Sequence, residues 1–297
     1  MQKETRNELF FDWEDFREWL RNGHSKGTIS YIMRYAKRHF RVFENPVLAS
    51  EIRVFNKDKR RHVMQALANL SKYLGIYENW KAIARNNDLH WENRSSLETV
   101  LSILNSDIEG VEVWLFEAVR RLPKKHATVL VFAALTGLRP TETCDSCRLI
   151  SVLAEKGRLD EYLDKELMML QHLKYGKLFL RETKNAFISF VSKELLELVV
   201  TQKPKLTYWG LKRAMQRRKL PIKTKELRKL FGTKLREYLP TEFVDLLQGR
   251  ISKSVFGRFY YKPILRSCRE KTLKAIQPLQ TELLSIIHNK KAESLSA

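Results

Sequence analysis

The sequence predicts a mainly α protein in two parts: a helical N-terminal domain, then a mostly helical second domain carrying one small β-hairpin or sheet. Three observations predict it. The first ninety residues repeat apolar positions at helical intervals with little strand signal. Residues 88–96, "DLHWENRSS", interrupt that pattern with polar and cap-forming residues. Only one stretch of the remainder, "GKLFLRETKNAFISFVSKE", is rich in β-prone residues.

In chain order, the helix after Lys26-Gly27 is expected to bury Ile29, Met33, Ala36, Phe40 and Phe43, spaced alternately by four and three. Arg34, Lys37, Arg38 and Arg41 fall on its other side. A second long helix from about Lys57 buries Val63, Leu67, Leu70 and Leu74 and is led by Lys57, Lys59, Arg60 and Arg61. A basic stripe on one helix is ordinarily a solvated face; two on one small cationic domain point to a DNA-gripping surface. The expected division is a domain over 1–95, with a linker at 88–96, and a second over 96–297.

The second domain carries the apolar run Ala127 to Leu138, too short to span a bilayer. Leu178 to Arg181 and Phe187 to Val191 read as two strands joined by Thr183-Lys184-Asn185, which sets Lys184 at a turn. In "KELRKLF", Lys225 and Arg228 share a helix face, while Leu227, Leu230, Phe231 and Leu235 bury the adjacent one. The tail beyond Pro263 has Leu273, Ile276, Leu279, Leu283 and Ile286 at helical intervals. It is expected either to dock on a neighbouring protomer or to fold back on its own chain.

Bulk composition narrows the partner. The 297 residues hold 55 Lys and Arg against 34 Asp and Glu, a net charge of +21. Such a surface attracts polyanions and gains from counterion release on nucleic acid, so double-stranded DNA is the expected partner. The charge is spread along the chain rather than gathered on one amphipathic helix, which speaks against a membrane surface. The opening residues lack the order of a secretory signal, and a cytoplasmic protein is expected. Three cysteines do not make a disulfide framework. Cys144 and Cys147 have the spacing of a zinc half-site but lack a second ligand pair, so buried thiols are expected and no metal.

Chemistry collects in Arg139 of "TGLRPTE", Lys184, Lys225, Arg228, Arg250 of "LLQGR" and Tyr260. A phosphodiester attacked by a tyrosine oxygen gathers charge on its non-bridging oxygens, which the planar fork of arginine suits. A lysine of lowered pKa can protonate the leaving 5′ oxygen. This reaction needs no cofactor.

The motif order resembles that of the tyrosine recombinases, or integrases, most closely the branch carried by archaeal viruses and plasmids, over roughly residues 134–263. "ALTGLRPTE" matches the TGLRxxE box, which implies that Arg139 binds the scissile phosphate, with Glu142 behind it. "ETKNAF" looks like the hairpin bearing the family's catalytic lysine, here Lys184. "KELRKLFGTKL" matches the HxLRHTFAT box, giving Arg228, with Lys225 where the family usually has His. "LLQGRISKSVFGRFYY" is similar to the LLGH box and its nucleophile, with Arg250 where His or Trp stands. Register from Arg250 favours Tyr260 as nucleophile, with Tyr261 as runner-up. The resemblance implies a site-specific recombinase that forms a 3′-phosphotyrosyl intermediate and works as a homo-tetramer on two DNA sites, integrating or excising a mobile element in an archaeal host. The alternatives are a DNA-binding relative without the reaction and a type IB topoisomerase.

Overall fold

A computed structural model describes residues 11–91, 95–181, 184–251 and 255–293. Of the expected features, Thr183 of the lysine turn, residues 92–94 of the expected linker and the first ten residues lie outside these. The chain is 71% helical, with fifteen helices and one three-stranded antiparallel sheet among the described residues. It divides into two compact units, Met1–Asn105 and Ser106–Ala297.

The first unit contains α1 (Trp13–Arg21), α2 (Lys26–His39), α3 (Ala49–Arg53), α4 (Lys57–Tyr73), α5 (Tyr77–Asn86) and α6 (Ser96–Leu104). Side-chain caps set several helix starts: Asp12 accepts from the Glu14 amide at 2.8 Å and Asn56 from the Lys59 amide at 2.9 Å. Helices α2 and α4 pack together. Ile29, Ile32, Met33 and Ala36 of α2 and Val63, Met64, Leu67 and Leu70 of α4 are all buried. Each large apolar side chain so removed from water contributes roughly 1.5–3 kcal/mol. The expected linker at 88–96 precedes α6, which Ser95 and Glu98 start with a reciprocal capping box and which groups with the first unit.

The second unit is built around α8 (Lys124–Thr136), whose residues Ala127 to Thr136 are all buried, as expected of a helix apolar on every side. It is preceded by α7 (Ile108–Arg121) and followed by α9 (Pro140–Glu155). Strands β1 (Leu163–Asp164) and β2 (Met169–Gln171) pair antiparallel with Leu163 opposite Leu170. The helical turn α10 (Gly176–Phe179) leads to β3 (Ile188–Phe190), which pairs with β2 with Gln171 opposite Ile188. Helices α11 (Lys193–Gln202), α12 (Tyr208–Arg217), α13 (Glu226–Arg236), α14 (Thr241–Leu247) and α15 (Leu265–Glu293) complete the unit.

One expectation is corrected. Of the two runs expected to pair around Lys184, Phe187 to Val191 holds β3, but Leu178 to Arg181 forms no strand and β3 pairs with β2 instead. Leu178 and Phe179 belong to the helical turn α10, because Phe179 is fully buried between the rings of Tyr162, stacked at 6.1 Å, and His172 at 4.7 Å. Lys184 therefore sits in a loop between α10 and β3, closed by the Ala186 amide donating to the Phe179 carbonyl at 2.9 Å. Of the two placements expected for the tail, it takes the one on its own unit. Helix α15 packs on α7, α8 and α13, and Ile276, Leu279, Leu283 and Ile287 are buried, so the apolar stripe that suggested a partner is spent in cis.

A chain of buried polar groups ties α9 to the sheet. The Ser146 hydroxyl lies 2.9 Å from the Tyr162 hydroxyl, which lies 2.5 Å from His172 Nδ1, and His172 Nε2 lies 2.9 Å from the Ser189 hydroxyl. Burial holds the His172 pKa down to about 3, so the ring is neutral. Cys144 and Cys147 are buried on α9, and burial pushes the Cys144 thiol up to about 12.

Candidate active site

Helix α8 ends at Gly137, in the left-handed region at φ 64°, and Pro140 restarts the chain as α9. Arg139 thereby falls between two helices, with its side chain 23% exposed. Its backbone amide donates to Glu142 Oε2 at 3.0 Å, and its Nη1 donates to Glu142 Oε1 at 2.9 Å and to the Asn185 carbonyl at 2.9 Å. The Glu142 side chain is 1% exposed, so Arg139 is held by a buried carboxylate on one side and by the Lys184 loop on the other.

The apolar face expected for α13 is in place: Leu227, Leu230, Phe231 and Leu235 are buried. Arg228, on the neighbouring face, donates from Nη1 to the Gly137 carbonyl at 2.8 Å and from Nη2 to the Gln248 carbonyl. Gln248 returns a bond from its Nε2 to the Arg228 carbonyl at 2.9 Å. The α8 terminus and α13 are in intimate contact, since a Cβ added to Gly137 would meet the Phe231 ring at 2.2 Å.

Helix α14 stops at Gly249, again left-handed at φ 63°. Here the chain runs directly against the lysine loop: a Cβ at Gly249 would lie 1.6 Å from the Asn185 carbonyl oxygen. Arg250, the next residue, is exposed and pairs with Asp245 at 3.3 Å. Four segments far apart in sequence thus meet, at Gly137 to Arg139, Lys184 to Asn185, Arg228, and Gln248 to Arg250.

The electrostatics of the meeting point are those of a cationic cradle. The Arg228 pKa is lowered to about 10, first by burial and next by the Arg139 guanidinium; Arg250 pushes the same way, while Glu142 and Asp245 oppose. Arg228 is thus a half-buried cation beside another guanidinium, held by two backbone carbonyls, and an arriving anion would offset the cost of burying its charge.

Lys225 is exposed just ahead of α13, one turn from Arg228. Lys184 is exposed on its loop. Tyr260 ends a π-helical turn, Phe256–Tyr260, and is 69% exposed, with a hydroxyl that makes no hydrogen bond among the described residues. Tyr261 is half-buried against the core beside Phe256, and burial raises its pKa. The structure therefore gathers Arg139, Glu142, Arg228, Arg250 and the Lys184 loop. It leaves Tyr260 outside their hydrogen-bond network, beyond residues 252–254, which lie outside the described residues.

On the first unit, Arg34, Lys37, Arg38, Arg41 and Arg61 are exposed, and Lys57, Lys59 and Arg60 are half-buried. Several of these cations rest on rings of their own unit: Lys37 lies 5.4 Å from the Trp13 ring centroid and Lys59 3.4 Å from that of Phe55. Arg61 pairs with Asp58 at 3.7 Å and Lys57 with Glu98 at 3.3 Å.

Sequence reasoning missed four participants: Arg181, Asn185, Asp245 and Gln248. Only Asp245 left a trace, as an acid one helical turn before Arg250 in "VDLLQGR". The others act through backbone carbonyls or across segments.

A family model described as archaeal phage integrase matches residues 146–271. The matched segment includes Lys184, Lys225, Arg228, Arg250 and Tyr260, and begins after Arg139 and Glu142. No curated protein matches the chain. The match supports an integrase of the archaeal virus type.

Proposed function

We propose that this integrase of the archaeal virus type is a tyrosine recombinase that cuts and rejoins DNA at specific sites through a 3′-phosphotyrosyl bond. The observation that carries this reading is the convergence of Arg139, Arg228 and the Gln248–Arg250 turn, reached from three helix ends, with the Lys184 loop wedged between two of them. A cradle of that charge and rigidity suits one phosphodiester.

In the proposed reaction Arg139, Arg228 and Arg250 grip the non-bridging oxygens of the scissile phosphate, with Lys225 adding a donor from the start of α13. The Tyr260 oxygen bonds to phosphorus while the bond to the 5′ oxygen breaks. Its phenol proton passes to solvent, to which Tyr260 is open, and Lys184 delivers a proton to the departing 5′ oxygen. The bond energy is kept in the phosphotyrosine, so the freed 5′ hydroxyl of a second duplex reverses the step and joins the strands without a cofactor. The basic faces of α2 and α4 hold the duplex, and a homo-tetramer brings two sites together to integrate or excise a mobile element in the cytoplasm of an archaeal host. No helix among the described residues is long and apolar enough to cross a membrane.

A nicked suicide duplex, which releases a short 5′ fragment and cannot religate, tests the reading. Wild-type protein accumulates a covalent adduct, Tyr260→Phe forms none while still binding DNA, and Tyr261→Phe retains it. An adduct formed by Tyr260→Phe would reassign the nucleophile. Strand exchange between two sites, rather than relaxation alone, separates a recombinase from a topoisomerase.

A further inference from the structure

Arg181 was singled out by no motif, yet it sits on the loop that carries Lys184 and reaches the acid behind Arg139. Its Nη2 donates to Glu142 Oε1 at 2.6 Å, the same oxygen that accepts Arg139 Nη1 at 2.9 Å. Its backbone amide donates to the Asn185 side-chain oxygen at 2.9 Å, while the Asn185 carbonyl accepts from Arg139. The loop is therefore fastened to Arg139 twice, once directly through Asn185 and once through Glu142 by way of Arg181. It is fastened to itself by the bond from Arg181 to Asn185, which brackets Lys184.

Charge explains why a second guanidinium is needed. Glu142 is 1% exposed, and with Arg139 alone it forms a neutral pair that would blunt the pull of Arg139 on a phosphate. Arg181 returns the trio to a net positive charge and places that charge on the lysine loop. The Arg181 side chain remains 45% exposed, so the clasp costs less desolvation than a wholly buried one.

We infer that Arg181, with Asn185, is a positioning residue that seats Lys184 for proton delivery to the leaving 5′ oxygen. The inference rests on the proposed recombinase reading. Lys184 stands on the loop between α10 and β3, and the Arg181 and Asn185 bonds tie that loop down on either side of it. A displacement of about 1 Å at a catalytic group is enough to cost on the order of a hundredfold in rate.

The test compares single-turnover cleavage of an ordinary suicide duplex with that of one whose scissile 5′ oxygen is replaced by sulfur. Sulfur leaves as a thiolate and needs no proton. On the ordinary duplex, Lys184→Ala is expected to slow cleavage about a hundredfold or more and Arg181→Gln about tenfold or more. On the sulfur duplex both return to within about threefold of wild type, because the group they supply or seat is no longer used. Asn185→Ala, which cuts the loop's internal bond without touching Glu142, follows the same pattern and covers the case in which Arg181→Gln folds poorly.

An Arg181→Gln protein that is slow on both duplexes overturns the inference, since it would then act on the phosphate or on the fold. A fast Arg181→Gln beside a slow Lys184→Ala overturns it also, and leaves the recombinase reading standing. A fast Lys184→Ala on the ordinary duplex removes the lysine's role and the inference with it.

Discussion

Adding one methyl group at Gly249 tests whether the site depends on the contact between the Arg250 and Lys184 segments. The Cβ of Gly249→Ala would sit 1.6 Å from the Asn185 carbonyl oxygen and 2.4 Å from its carbon, both backbone atoms that no rotamer change can move aside. Ordinary contact needs about 3.5 Å, so the two segments must part by roughly 2 Å. Placing alanine at φ 63° adds left-handed strain of about 1–2 kcal/mol. A 2 Å separation exceeds the misplacement that costs about a hundredfold in rate, so cleavage should fall by about that factor or more. The expected loss is out of proportion to stability, because the strain and the parted surface together cost only a few kcal/mol.

Gly75→Ala supplies the control. Gly75 has a left-handed φ of 72°, yet nothing lies within 4 Å of its added Cβ, so it carries the strain without the wedge. Urea midpoints and single-turnover cleavage on a suicide duplex, measured for both variants, read the two effects apart. Gly75→Ala should lose about 1–2 kcal/mol of stability and keep its cleavage rate. Wild-type cleavage by Gly249→Ala would refute the claim that these two segments must touch for the site to work.

Three further outcomes are expected. Arg139→Ala and Arg228→Ala should each slow adduct formation about a hundredfold or more while binding persists, as when one transition-state donor is removed; normal cleavage by either would place the cradle elsewhere. His172 is held neutral with its pKa near 3 against about 6.5 when unfolded, so the unfolded chain takes up the proton first as pH falls. Stability should be complete above about pH 6.5 and decline by up to about 5 kcal/mol towards pH 3, and urea titrations of His172→Gln should lack that part of the decline; parallel curves for the two proteins would refute it. Replacing Lys37 and Arg38 with glutamine should lower the slope of log affinity against log salt by about 2 if both contact phosphates, and an unchanged slope would remove α2 from the DNA surface.

The helices of the first unit were legible because amphipathic periodicity is a local property. Ile29, Met33 and Ala36 had to face inward wherever the rest of the chain went, and the opposite side was left to Arg34, Lys37 and Arg38. Arg139 and Arg228 were legible for a related reason. Each stands in a short motif whose glycine, proline or leucines fix where the helix starts and which face it buries.

The lysine loop was not legible. Leu178 to Arg181 has strand-forming residues, but Phe179 gains more from the aromatic pocket of Tyr162 and His172 than from a ladder, and those partners lie up to seventeen residues away. The tail showed the same limit: its apolar stripe was plain in the sequence, but whether α7, α8 and α13 or another chain would cover it depended on a surface assembled from distant segments. The sequence by itself determined the charge, the helical faces and the residue types able to hold a phosphate. Only the tertiary structure decided that Asn185, Gln248 and Gly249 would lock those residues together, because backbone carbonyls and a missing Cβ become contacts only after folding.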